Sequence, residues 1–217
     1  MTAPLFSQLE FLRAHVESVA ASPATIMITS AKTGDGKTLT SYGLAERLAD
    51  AGRKVVLLQI GSQDIELAAN RNEAEARRAF SIVRLPQEED GSSISTPALR
   101  AKINELRVTY DYTVIDSAPL LKSRVATLLA GMVDAIIVTV RLGRPSDSDD
   151  TSLVQSLGRA DANVLGVVAA SPDDISAFAA RAVNQQPGEI LPPNFATVSE
   201  FATLDHAIVP ALQGWRR

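Results

Sequence analysis

Residues 29–40 read TSAKTGDGKTLT, and their types and spacing suit one task, the grip of a phosphate chain. Gly34 and Gly36 permit backbone angles that turn successive N–H groups toward a shared anion. Lys37 would neutralise charge on the outer phosphates, and the Thr38 hydroxyl would face Mg²⁺. The candidate binding set is Lys32, Thr33, Gly34, Asp35, Gly36, Lys37, Thr38 and Leu39. Ala31 stands where such loops usually begin with glycine, so the plain Walker pattern is not met letter for letter. The second candidate is Asp116, which closes YDYTVID. A carboxylate ending a buried strand in that position can reach Mg²⁺ through water. Lys37 and Asp116 are therefore the catalytic candidates, and Thr38 and Asp116 the metal candidates.

A phosphate loop needs a strand before it and a helix after it. SPATIMITS supplies an apolar strand, and KTLTSYGLAERLADAG a helix closed by Gly52. Upstream, Leu5, Leu9, Leu12, Val16 and Val19 fall at helical spacing, which predicts an amphipathic helix over 5–20. Downstream, RKVVLLQI is a strand, 65–79 a helix, FSIVRL a strand and 97–109 a helix. YTVID is a strand, followed by a helix to Gly131, the strand DAIIVTV, a helix through the 150s and the strand ANVLGVVAA. Strands that are apolar on both faces and alternate with helices predict an α/β fold. Its sheet is mostly parallel with helices on both faces. One domain over 1–217 is expected, with no linker and an irregular segment over 184–217, where three prolines cluster early. QEEDGSSISTP reads as a polar loop, and its Glu88, Glu89 and Asp90 as a solvated turn.

Composition narrows the chemistry further. The absence of cysteine excludes a disulfide framework, a thiolate metal site and a cysteine nucleophile. His15 and His206, the two histidines, are far apart and read as surface residues. A net charge of −4 argues against a nucleic-acid partner. No secretory leader is apparent and the apolar runs are too short to span a bilayer, so a cytoplasmic protein is expected.

With these stretches in view the chain resembles the deviant P-loop ATPases of the ParA and MinD group. Within it the chain is most similar to the cytoplasmic module of bacterial tyrosine kinases (BY-kinases). ITSAKTGDGKTLTSYGLAERLADAGRKVVLL, YDYTVIDSAPLL, VDAIIVTVRLG and VLGVV carry the likeness, in register over residues 5–170. The resemblance implies a P-loop NTPase fold of the deviant Walker A type, ATP or ADP with Mg²⁺ as cofactors, and work in exopolysaccharide or capsule synthesis or export. It implies a membrane-embedded polysaccharide co-polymerase on a separate chain as partner, and allows a homo-oligomer. It places the protein at the inner face of the plasma membrane.

The departures bear on activity. Where BY-kinases end their second strand in hhhDxDxR, this chain has Gln59, Gly61 and Gln63. Gln59 can hydrogen-bond but carries no charge and takes no proton at neutral pH, so general-base help worth ~10²–10⁴ in rate would be lost. Asp64 could take that place only through a shift of the loop. Val125 replaces a further acid, Ala170 replaces the asparagine that reads the base, and the ExxRxxR of the oligomerisation helix becomes Ser7, Glu10 and Arg13. No tyrosine-rich tail is present, and Tyr42, Tyr110 and Tyr112 are assigned to helix or strand regions. Lys32 falls where ParA and MinD proteins carry a lysine that reaches a partner's nucleotide. The expectation is a regulatory, BY-kinase-like protein with weak or lost kinase activity. An active tyrosine autokinase and a ParA/MinD-like positioning ATPase are the alternatives. In DHAIVPALQGWRR, Ile208, Ala211, Leu212 and Trp215 fall at helical spacing beside two arginines, which allows a peripheral membrane contact interrupted by Pro210.

Overall fold

The computed structural model describes residues 5–60, 80–85, 95–184 and 195–196. Among the described residues seven strands form one sheet: β1 (Ala24–Thr29), β2 (Val55–Ile60), β3 (Ser81–Leu85), β4 (Tyr112–Asp116), β5 (Ala135–Arg141), β6 (Val164–Ala170) and β7 (Phe195–Ala196). Their order is β3-β2-β4-β1-β5-β6-β7, all parallel except β7, which pairs antiparallel with β6. The helices are α1 (Leu5–Val19), α2 (Lys37–Asp50), α3 (Thr96–Thr109), α4 (Arg124–Ala130), α5 (Ser148–Arg159) and α6 (Pro172–Asn184).

Successive strand residues point to opposite faces, and both faces are covered. Ile26, Ile28, Leu57, Val114 and Ile137 pack with Leu9 and Val16 of α1, Leu44 and Leu48 of α2, and Ile175 and Phe178 of α6. Met27, Val56, Leu58, Ile115 and Val138 pack with Leu99 and Ile103 of α3, Leu129 of α4, and Leu153 and Leu157 of α5. The result is an α/β fold with a mostly parallel sheet and helices on both faces, as the alternating pattern predicts. Leu9, Leu12 and Val16 of α1 and Ala20 just after it pack inward, while Val19 is exposed on the flank of that stripe. The sequence reading provides no element for 172–184, where α6 lies, and β7 is an ordered pair within the stretch expected to be irregular. The expected helix over 65–79, the turn at Glu88, Glu89 and Asp90, and the membrane-facing tail lie outside the described residues.

The strand order places β1 between β4 and β5. From β1 the chain first builds outward on the β4 side, then returns across β1 to β5 and β6. Parallel sheets bind ligands beyond the carboxyl ends of their strands where the order reverses in this way. The loop 30–36 and Asp116 both lie at those ends.

Candidate phosphate-binding site

Beyond Thr29 the loop turns through two left-handed glycines, Gly34 at φ 82° and Gly36 at φ 91°. Gly36 is also the residue that opens α2, and no side chain caps this helix. By contrast α3, α4 and α5 are capped by Ser95, Ser123 and Asp147. The first amides of a helix have no intrahelical acceptor. Left uncapped beside a glycine turn, those of α2 form an anion cradle.

Lys37 is buried, and its Nζ donates to Ser30 Oγ and to the Lys32 carbonyl, each at 3.1 Å. The ammonium is thus folded back across the loop. Thr33 and Gly34 are exposed, Thr38 is half-buried, and Asp35 and Gly36 are buried. The Leu39 side chain belongs to the core, which leaves only its amide for a ligand.

Asp116 ends β4 in register with Ile28 of β1 and Gln59 of β2. It is fully buried. Ser41 Oγ donates to its Oδ1 at 3.4 Å, whereas Oδ2 makes no hydrogen bond. Burial pushes the carboxyl up to about 6, against the opposing pull of the Thr38 hydroxyl, the Lys37 charge, Ser41 and Gln59. A buried carboxylate oxygen without a partner, close to the Thr38 hydroxyl, fits Mg²⁺ bound together with phosphate, because Mg²⁺ needs only one or two protein oxygens there. Thr38 and Asp116 would hold the ion, which would neutralise phosphate charge. Among the described residues no cluster of three or more His, Asp or Glu could hold a metal.

Gln59 is buried, and its Nε2 lies 3.5 Å from the Tyr42 hydroxyl. An amide opposite Asp116 spares the site a second negative charge. Gln59→Asp would place two carboxylates in register. In the ligand-free protein this variant should lose roughly 1–2 kcal/mol of stability at pH 7 by like-charge repulsion. The loss should vanish near pH 4, where both groups are protonated, and shrink when Mg²⁺ is added. Urea titrations at the two pH values, with and without Mg²⁺, test this.

Lys32 does not face the loop interior. Its Nζ is paired with Asp147 and lies 3.8 Å from Asp149 at the start of α5. Asp35 accepts from the Lys32 amide at 3.1 Å. Burial raises the Asp35 carboxyl, and the Arg144 charge is the strongest influence drawing it back. Ala170, at the end of β6, is fully buried against the loop: a Cβ on Gly36 would lie 2.7 Å from the Ala170 Cβ. Its methyl offers no hydrogen bond to a base.

The loop, the uncapped helix and Asp116 thus converge at the reversal point of the sheet. The family profile of the CobQ/CobB/MinD/ParA nucleotide-binding domain matches residues 26–182, well over half the chain. The chain belongs to this family. Among curated relatives, the septum site-determining protein MinD of Synechocystis sp. is 26% identical over 138 residues, covering 52% of each protein. The chain therefore spans about half the length of the curated relative it matches. Among solved structures, the kinase domain of the Escherichia coli tyrosine kinase ETK superposes with a TM-score of 0.56 at 18% identity, over 74% of this chain and 73% of that one. MinD of Aquifex aeolicus gives 0.51 at 19% identity, over 83% and 78%. These structural likenesses show the fold.

Within this CobQ/CobB/MinD/ParA domain, several contributors escape the motif reading. Ser30 and Ser41 follow from the loop and its helix once the register is known. The Asp147–Asp150 spacing is that of a capping box, a local signal. Arg144 has none, since its partner Asp35 lies far away in the chain. Gly61, Gln63 and Asp64 lie outside the described residues. No helix among the described residues is long and apolar enough to cross a membrane.

Proposed function

We propose that this CobQ/CobB/MinD/ParA domain is a BY-kinase-like ATP- and Mg²⁺-binding module with weak or lost phosphotransfer. It would act at the inner face of the plasma membrane, beside a separate membrane-embedded co-polymerase in exopolysaccharide or capsule synthesis or export. The observation that carries the reading is Gln59 in register with Asp116. The phosphate cradle is built, but the position where the resemblance expects an acid holds an amide. The tyrosines support it. Tyr112 and Tyr42 are buried and Tyr110, just past the end of α3, is half-buried, so none resembles a phosphorylation tail.

The test pairs binding with transfer. Titration with ATP and Mg²⁺ should show saturable binding that Lys37→Ala removes, while incubation with labelled ATP leaves no phosphotyrosine. Clear phosphotyrosine would reinstate an active autokinase. Absence of binding would reject the nucleotide reading altogether. A MinD-like positioning ATPase is the second reading, favoured by Lys32 at the loop edge. A nucleotide-dependent dimer that fails in Lys32→Ala would select it.

A further inference from the structure

Asp35 sets a problem for the cradle. It lies between Gly34 and Gly36, and is 1% exposed. A buried carboxylate inside an anion-binding loop repels the ligand the loop is shaped for, and low solvent access strengthens that repulsion. Lys37 can offset only one negative charge at a time, and it is the group a phosphate would engage. Neutrality at Asp35 therefore needs another cation.

Arg144 supplies it from the connection between β5 and α5. Its Nε lies 3.7 Å from Asp35 Oδ1. That nitrogen is buried and makes no hydrogen bond. The other two nitrogens grip Asp150 as a fork, at 2.9 and 2.6 Å. Asp150 is itself 3% exposed and also accepts from the Asp147 amide at 3.0 Å. The guanidinium is thus fixed by α5 with its remaining N–H side toward the loop. A planar, permanently charged fork suits this task, because it can hold Asp150 through two nitrogens while its third faces Asp35.

We propose that Arg144 is a positioning residue for polyphosphate binding: anchored to Asp150, it offsets the charge of Asp35 and fixes the loop, so that Lys37 and the loop amides are left to meet the nucleotide. The inference rests on the nucleotide-binding reading above and adds a residue that no loop motif contains. Arg144 touches no phosphate itself; it acts through Asp35.

The experiment is a double-mutant cycle on the full chain, with Mg²⁺–ATP and Mg²⁺–ADP as probes. Arg144→Ala should weaken binding about tenfold. Asp35→Asn, which removes the repelling charge but keeps the loop amides and an acceptor for the Lys32 amide, should bind more tightly than wild type. In the double variant the effect of Arg144→Ala should fall below about threefold. Arg144→Lys should lie between wild type and Arg144→Ala. If Arg144→Ala binds normally, or if Asp35→Asn leaves its tenfold loss intact, the proposal is overturned. The same cycle is read in the ligand-free protein by chemical unfolding, with Arg144→Gln in reserve should Arg144→Ala not fold. If wild type binds neither nucleotide, the nucleotide reading fails. The unfolding cycle then still decides the Asp35–Arg144 link, and a coupling below about threefold in the unfolding constant overturns it.

Discussion

Asp116→Asn should make the ligand-free protein more stable while removing its response to Mg²⁺. The Asp116 carboxyl is fully buried, and burial lifts it from an ordinary 3.8 to about 6. The folded chain therefore holds this proton more tightly than the unfolded chain does. Between pH 4 and pH 6 the native state carries more protons, so stability falls as pH rises through that window and levels off above it. A difference of about two pKa units corresponds to about 3 kcal/mol at pH 7. Asparagine keeps the shape without the charge, so the variant should gain up to about 3 kcal/mol at pH 7 and nothing near pH 4. Urea unfolding of both proteins across this range measures the difference. With ATP present, Mg²⁺ should raise the midpoint of wild type and leave that of the variant unmoved. A variant less stable than wild type at pH 7 would show that the carboxylate is stabilised by partners other than those described.

Gly36→Ala should be strongly destabilising, and far more so than Gly34→Ala. Two penalties coincide at this position. The backbone sits at φ 91°, where an L side chain is strained, and the new Cβ would lie 2.7 Å from the Ala170 Cβ. That neighbour is a methyl fixed to the backbone at the end of β6 and cannot rotate away. Strain of about 1–2 kcal/mol adds to overpacking of about 1–3 kcal/mol, for a total of about 2–5 kcal/mol. Gly34→Ala is the matched control: φ is 82°, but nothing lies within 4 Å of the added carbon. It should cost only the strain, about 1 kcal/mol. Denaturant unfolding ranks the two, and nucleotide titration should show Gly36→Ala the more impaired. Equal losses would mean that the contact with β6 gives way easily.

Much of this was readable from residue types alone. The central strands are buried on both faces, so ATIMIT and VVLLQI appear as continuous apolar runs between turn signals. A strand followed by glycines, lysine and threonine before a helix announces its ligand through local geometry. Gln59 was visible because a motif position had changed type, although only the register shows that it stands opposite Asp116. What the sequence hid was long-range. The link from Arg144 to Asp35 joins a connection after β5 to a loop after β1, and no spacing rule relates them. The α6 segment, PDDISAFAARAVN, carries one proline and two aspartates at its start and few large apolar residues, so its periodicity did not stand out. Ala20, just past the end of α1, takes the inward position that helical counting assigned to Val19.

Tyr42 is wedged between Phe80 and Phe178, with ring centroids 6.0 and 5.8 Å away, and the Tyr112 hydroxyl donates to the Ala20 carbonyl at 3.2 Å. No kinase can reach these side chains in the intact fold. Any phosphate that mass spectrometry finds on either one must have been added to a chain that was opened or still incomplete. Such a signal would therefore count damaged or immature molecules in a preparation, and would say nothing about signalling by the finished protein.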